Sequence, residues 1–181
     1  MSSSSQTPAR KLRAIAAGAG LALTLGPAFA QSPVAPAPGD PPPLPEVGLW
    51  YDDSGKGAVR ISQCGDQLCG HIYWLKSPLN SKGEPLHDVN NPDPAQRVRP
   101  ICGLQVVGRL AAQRDGTWGG GWIYDPKVGK AYNVQIRRAS AEVLEVHGYA
   151  GVKMFGKTLI WRKAPEDLPA CQPELQANSR P

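Results

Sequence analysis

The chain has 181 residues, 41% of them hydrophobic and 19% charged, with a formal net charge of +5. That is the length of one domain with appendages, and its apolar content excludes a collagen-like or wholly disordered protein. Twenty glycines and 19 prolines argue against a compact helical domain.

Arg10, Lys11 and Arg13 precede an uncharged run of small residues and leucines, Ala14 to Gly26, and Ala28-Phe29-Ala30 has the small-x-small pattern. This predicts a signal peptide over residues 1–30, cleaved after Ala30, and hence a periplasmic or secreted protein. A membrane anchor is the alternative, but the apolar run falls short of the roughly 20 residues a span needs. No transmembrane span is expected in the mature chain. Cleavage removes three of 20 Lys and Arg and none of 15 Asp and Glu, leaving 17 against 15, or +2. The remaining basic residues are scattered along the sequence, without the dense stripe that a nucleic-acid partner requires.

Residues 31–45, QSPVAPAPGDPPPLP, hold seven prolines in fifteen positions and predict a stiff polyproline linker. It reads as a passive spacer, with docking of a proline-reading partner as the alternative. The folded unit is expected over 46–164, followed by a polar, Pro-rich tail, 165–181.

Within 46–164 the apolar residues alternate. Val59/Ile61, Ile72/Trp74, Tyr132/Val134/Ile136, Leu144/Val146 and Leu159/Trp161 each mark one face of a strand. Turn chemistry separates them, as at Asp53-Ser54-Gly55, Gly65-Asp66, Asp115-Gly116 and Asp125-Pro126-Lys127-Val128-Gly129. Eight strands are predicted: 48–53, 57–64, 68–76, 104–112, 117–125, 130–138, 142–150 and 157–163. Short connections and one polar face point to an all-β fold, a small antiparallel up-and-down β-barrel, whose closure removes exposed edges. A two-sheet sandwich is the alternative. Gly119-Gly120-Gly121 marks a bulge or a close backbone approach.

The connection from Pro78 to Gly103 is too long to be a simple turn. Its Leu86-His87-Asp88-Val89-Asn90-Asn91-Pro92-Asp93 segment reads as a hydrogen-bonded loop with local Asx turns. A lid over the barrel mouth is an alternative. The spacing of Asp88, Asn90 and Asp93 does not match a calcium loop, and no metal is expected. Four cysteines in an exported chain predict two disulfides with three possible connectivities. Cys64 and Cys69 flank a turn-like tetrapeptide, so a cross-hairpin bridge is reasonable, leaving Cys102 to Cys171. A zinc site lacks the usual C-x-x-C pairs.

Two resemblances follow. Gly48-Leu49-Trp50 in the first strand and Arg162 in the last resemble the opening Gly-x-Trp and terminal basic residue of lipocalins and related calycins. The resemblance implies that Arg162 packs across Trp50 to close the barrel base, a structural role. More broadly, CGDQLCGHIYWLK, DVNNPDPAQRVRPICGL, WGGGWIYDPKVGKAY and LEVHGYAGVKMFGKTLIWRK resemble the bacterial family called domain of unknown function 2147. That implies a lipocalin-like barrel in the cell envelope, with no established activity and no assigned catalytic residues.

No catalytic residues are expected. The histidines, His71, His87 and His147, lack an evident nucleophile partner, and no G-x-S-x-G or H-E-x-x-H motif is present. A non-enzymatic protein without a cofactor is expected. An eight-stranded barrel either fills its interior or holds one small ligand. The second case suggests a small hydrophobic ligand, with Trp74, Trp122, Tyr124, Tyr132 and Tyr149 as candidate contacts. The alternative is an interaction module with a filled barrel, docking on another envelope protein.

Overall fold

The computed structural model describes residues 44–171. The predicted signal peptide, nearly all of the linker and the end of the tail lie outside the described residues. Eight strands follow one another: β1 (Gly48–Tyr51), β2 (Gly57–Cys64), β3 (Gln67–Leu75), β4 (Gln105–Ala112), β5 (Trp118–Asp125), β6 (Lys130–Ser140), β7 (Val143–Tyr149) and β8 (Lys157–Lys163). Each pairs antiparallel with the next, and β8 returns to β1. The sheet is a closed all-β barrel, so the sandwich alternative falls. Among the described residues no helix is long and apolar enough to cross a membrane.

The strand bounds agree with the alternation to within a few residues. β1 stops at Tyr51 because Asp52 turns the chain. Its Oδ1 accepts from Ser54 N at 3.0 Å and Lys56 N at 3.3 Å, while its own N–H donates to Gly57 O at 2.9 Å. At Gly119-Gly120-Gly121 the register with β6 shifts between Trp118 and Gly121. Gly120 has φ +73°, and a Cβ on Gly121 would run into the backbone of Gly108 and Arg109. The triple glycine is therefore both a bulge and a close approach.

Odd strands run toward one end of the barrel and even strands return from it. The end reached by the β2–β3, β4–β5 and β6–β7 turns is solid. Trp50, Trp118 and Trp161 fill it with Leu68, Leu110, Ile136 and Leu144, all buried. Each such side chain contributes about 1.5–3 kcal/mol by leaving water.

Both disulfides join described cysteines: Cys64–Cys69 across the β2–β3 turn and Cys102–Cys171 from the long connection to the tail. After β8 the chain straps the outside of the barrel. Ala164 N donates to Leu49 O in β1 at 2.8 Å, Glu166 lies 3.8 Å from Arg60 in β2, and Cys171 N donates to Tyr73 O in β3 at 2.7 Å. Both bridges fit an oxidising extracellular compartment.

Candidate functional site: a hollow barrel end

The other end of the barrel is not filled. A cavity of about 760 Å³ opens there, within the range of small-molecule sites. Its wall is mostly aliphatic, with Val59, Ile72, Val106, Ile123, Val146 and Leu159 on six strands. Trp161 lines the floor, where the cavity meets the solid half. Gly148 contributes no side chain, which keeps the space open between β6 and β8. The mouth is polar: Asp52, Lys56, Asp125, Lys127 and Lys157 stand around it. A smaller cleft of about 260 Å³ lies beside the Cys102–Cys171 bridge, lined by Arg60, His71 and Tyr73. The arginine stacks over the Tyr73 ring at 4.2 Å.

The long connection forms one side of the mouth. Leu86, His87, Val89, Asn90 and Ile101 line the cavity. The segment is held by Asp88, whose side chain is wholly buried. Asp88 Oδ1 accepts from Tyr124 Oη at 2.7 Å, and Oδ2 accepts from Asn91 Nδ2 at 2.7 Å and Arg99 at 2.9 Å. Burial pushes the Asp88 carboxyl up, but these three donors and the Arg99 charge outweigh it and hold the carboxyl below its ordinary value. Burial raises the Tyr124 phenol, as do its bond to Asp88 and the carboxylate charge. Two more ties anchor the segment. Arg97 Nε donates to Asn91 O at 2.7 Å, and Asn90 Nδ2 donates to Lys127 O in the β5–β6 turn at 2.9 Å. Gly129, with φ +66°, lies so close under the Asn90 carbonyl that no side chain fits there. The predicted Asx turns exist: Asn91 Oδ1 accepts from Asp93 N, and Asp93 Oδ1 from Ala95 N. The segment is an ordered wall of the mouth. Among the described residues no three His, Cys, Asp or Glu side chains gather as a metal-binding set.

The five aromatic candidates separate. Tyr124 and Tyr132 line the cavity. Trp74, Trp122 and Tyr149 do not. The bulge between Ala58 and Val59 pairs Val59 with Ile72 but Ala58 with Trp74. It reverses the phase of β3, so Ile72 and Leu75 face inward and Trp74 packs edge-on against Tyr51, 5.7 Å away. Trp122 is not among the cavity-lining residues; its ring lies across Gly108 of β4. Tyr149 follows Gly148 and lies beside the His147 ring at 5.8 Å. A ligand role inside the barrel is thus withdrawn for these three.

The expected closure by Arg162 is also corrected, by one residue. Lys163 Nζ sits 4.9 Å from the Trp50 ring, while Arg162 is exposed and pairs in register with Tyr51. Trp161 faces inward, so strand alternation turns Arg162 out and Lys163 back toward the base. Trp50 is further fixed by its indole N–H, which donates to Glu46 O at 2.9 Å.

Comparison with known proteins agrees with this architecture. Residues 48–163 match the family described as "Uncharacterized protein conserved in bacteria (DUF2147)". Among solved structures, the Helicobacter pylori protein HP1028, described as belonging to the lipocalin family, is similar with a TM-score of 0.56. Identity is 20%, over 67% of this chain and 84% of that one. Comparison with curated proteins finds no significant match.

Proposed function

Starting from a chain that belongs to the bacterial DUF2147 family and folds as a lipocalin-like barrel, we propose that its hollow end binds a small, largely apolar molecule outside the cytoplasm. The observation that carries this reading is the half-empty interior: about 760 Å³ walled by aliphatic side chains and open to solvent at one end. Apolar transfer drives entry, at about 25 cal/mol per Å² removed from water. The polar groups at the mouth suit a ligand whose polar end stays outermost. Tyr132 and the Tyr124 ring add flat apolar surface, and Asp88 keeps the Tyr124 hydroxyl engaged. The leader-like N-terminal sequence and the two disulfides support export to the periplasm or beyond.

Native mass spectrometry of the oxidised protein, before and after organic extraction, tests this. The expected result is a discrete extra mass that extraction removes. A bare mass that persists after incubation with lipid extracts would overturn the reading.

A further inference from the structure

The hollow end differs from the rest of the molecule on its outside as well. Its surface consists of the β1–β2, β3–β4, β5–β6 and β7–β8 connections. Among the described residues there are eight exposed large apolar side chains; seven lie in these connections, and Ile160 alone does not. Met154 and Phe155 are 81% and 82% exposed, beyond what a passive loop requires. They are presented in a fixed shape. The His147 ring bonds the Lys153 carbonyl through Nε2 at 2.9 Å and Thr158 Oγ1 through Nδ1 at 2.9 Å. Gly156 is pressed against that ring.

Charge follows the same division. Of eight lysines among the described residues, seven lie in these connections or at their strand junctions; Lys163 alone does not. Counting from Asp52 to Gly57, Lys76 to Gly103, Asp125 to Lys130 and Ala150 to Lys157, this end holds nine Lys and Arg against six Asp and Glu, a net +3. The other described residues hold seven of each and are neutral. Finally, every odd strand carries an outward, half-buried aromatic near its mouth end: Tyr51, Trp74, Trp122 and Tyr149. Amphipathic rings near the mouth, apolar tips beyond them and lysines among the tips form the side-chain distribution that seats at a bilayer interface.

We propose that the hollow end docks on a lipid surface bearing anionic headgroups, with Met154 and Phe155 entering the interface and the lysines meeting the headgroups. The cavity mouth then faces the lipid. Docking rests on the outer surface alone, so it stands or falls separately from occupancy of the cavity.

Vesicle co-sedimentation tests it, using the oxidised full chain and vesicles of phosphatidylcholine with or without about a third phosphatidylglycerol. All variants share one N-terminus, so any contribution from residues 1–43 is common to all. The parent is expected to partition onto the anionic vesicles, with a blue shift of tryptophan emission, and less at high salt. M154S/F155S is expected to partition about tenfold less, and Lys127→Gln or Lys157→Gln about fivefold less each. Arg137→Gln, on the outer wall, is expected to match the parent. Unchanged circular dichroism and melting will show that the variants fold. Equal partition of parent and rim variants would overturn the proposal, as would indifference to phosphatidylglycerol. Failure to bind any vesicle, with rim-dependent cross-linking to an envelope protein, would replace the lipid with a protein partner.

Discussion

The two ends of this barrel are built from the same eight strands and differ in what fills them. At the solid end three tryptophans and four aliphatic side chains occupy the interior, and Lys163 covers the base. At the hollow end a mostly aliphatic lining, to which Gly148 adds no side chain, leaves about 760 Å³. The solid end makes the fold stable enough for the hollow end to be empty. Cavities cost stability in proportion to their volume, so a chain that keeps one concentrates its packing elsewhere.

Substitutions at the two ends should therefore behave differently, and the largest effect belongs to the solid end. Trp50→Ala is expected to cost about 3–5 kcal/mol in urea unfolding, through lost burial and an unfilled hole. Leu159→Ala, at the cavity wall, should cost less, near the lower bound of about 2 kcal/mol for such truncations; equal costs would erase the division. Next comes the Cys102–Cys171 bridge, which closes a loop of sequence separation 69. Replacing both cysteines by alanine should cost about 4 kcal/mol in the chain-entropy model, against about 2 kcal/mol for the Cys64–Cys69 pair.

The Asp88 cluster comes third. Asp88→Asn is expected to cost about 1–3 kcal/mol, with faster hydrogen exchange confined to Leu86–Arg99. The carboxyl is depressed in the folded state, so its stabilisation is present above the unfolded value near 4 and is lost as pH falls through the lower folded value. Acid titration of stability should show that loss in the parent and a smaller one in the variant. Leu159→Trp narrows the cavity with a small effect on folding but should weaken ligand binding at least tenfold; unaltered binding would place the ligand elsewhere. The smallest effect separates Lys163 from Arg162. Lys163→Ala should cost about 0.5–1 kcal/mol for the contact with Trp50, and Arg162→Ala essentially nothing.

Alternation made the strands and their order legible because period two records directly which residues face water. The Cys64–Cys69 bridge is legible because a short turn brings its cysteines together; Cys102–Cys171 follows only as the remaining pair, and closure from the edges that eight strands would otherwise expose. The interior contacts were less legible. Extending the phase of Ile72 places Trp74 in the lining, but a one-residue bulge reverses that phase. The calycin-like motif points to Arg162, although the phase of Trp161 turns that residue outward. The aliphatic lining was visible as the inward face of each strand, but nothing in the sequence said that these side chains leave a space unfilled. Nor could scattered lysines be seen as a group, since four separate connections bring them to one end.

The strap after β8 has a mechanical consequence. β1 and β8 share only the pairs Trp50↔Lys163 and Tyr51↔Arg162, the shortest seam in the barrel. A pull on the chain beyond Cys171 does not reach that seam while the Cys102–Cys171 bridge is intact. The load passes chiefly through the covalent link into the connection preceding β4 rather than into β8. Once a reductant cuts the bridge, only the strap's non-covalent ties to β1, β2 and β3 stand between the same pull and these two pairs, and once those ties give way the barrel opens along its side.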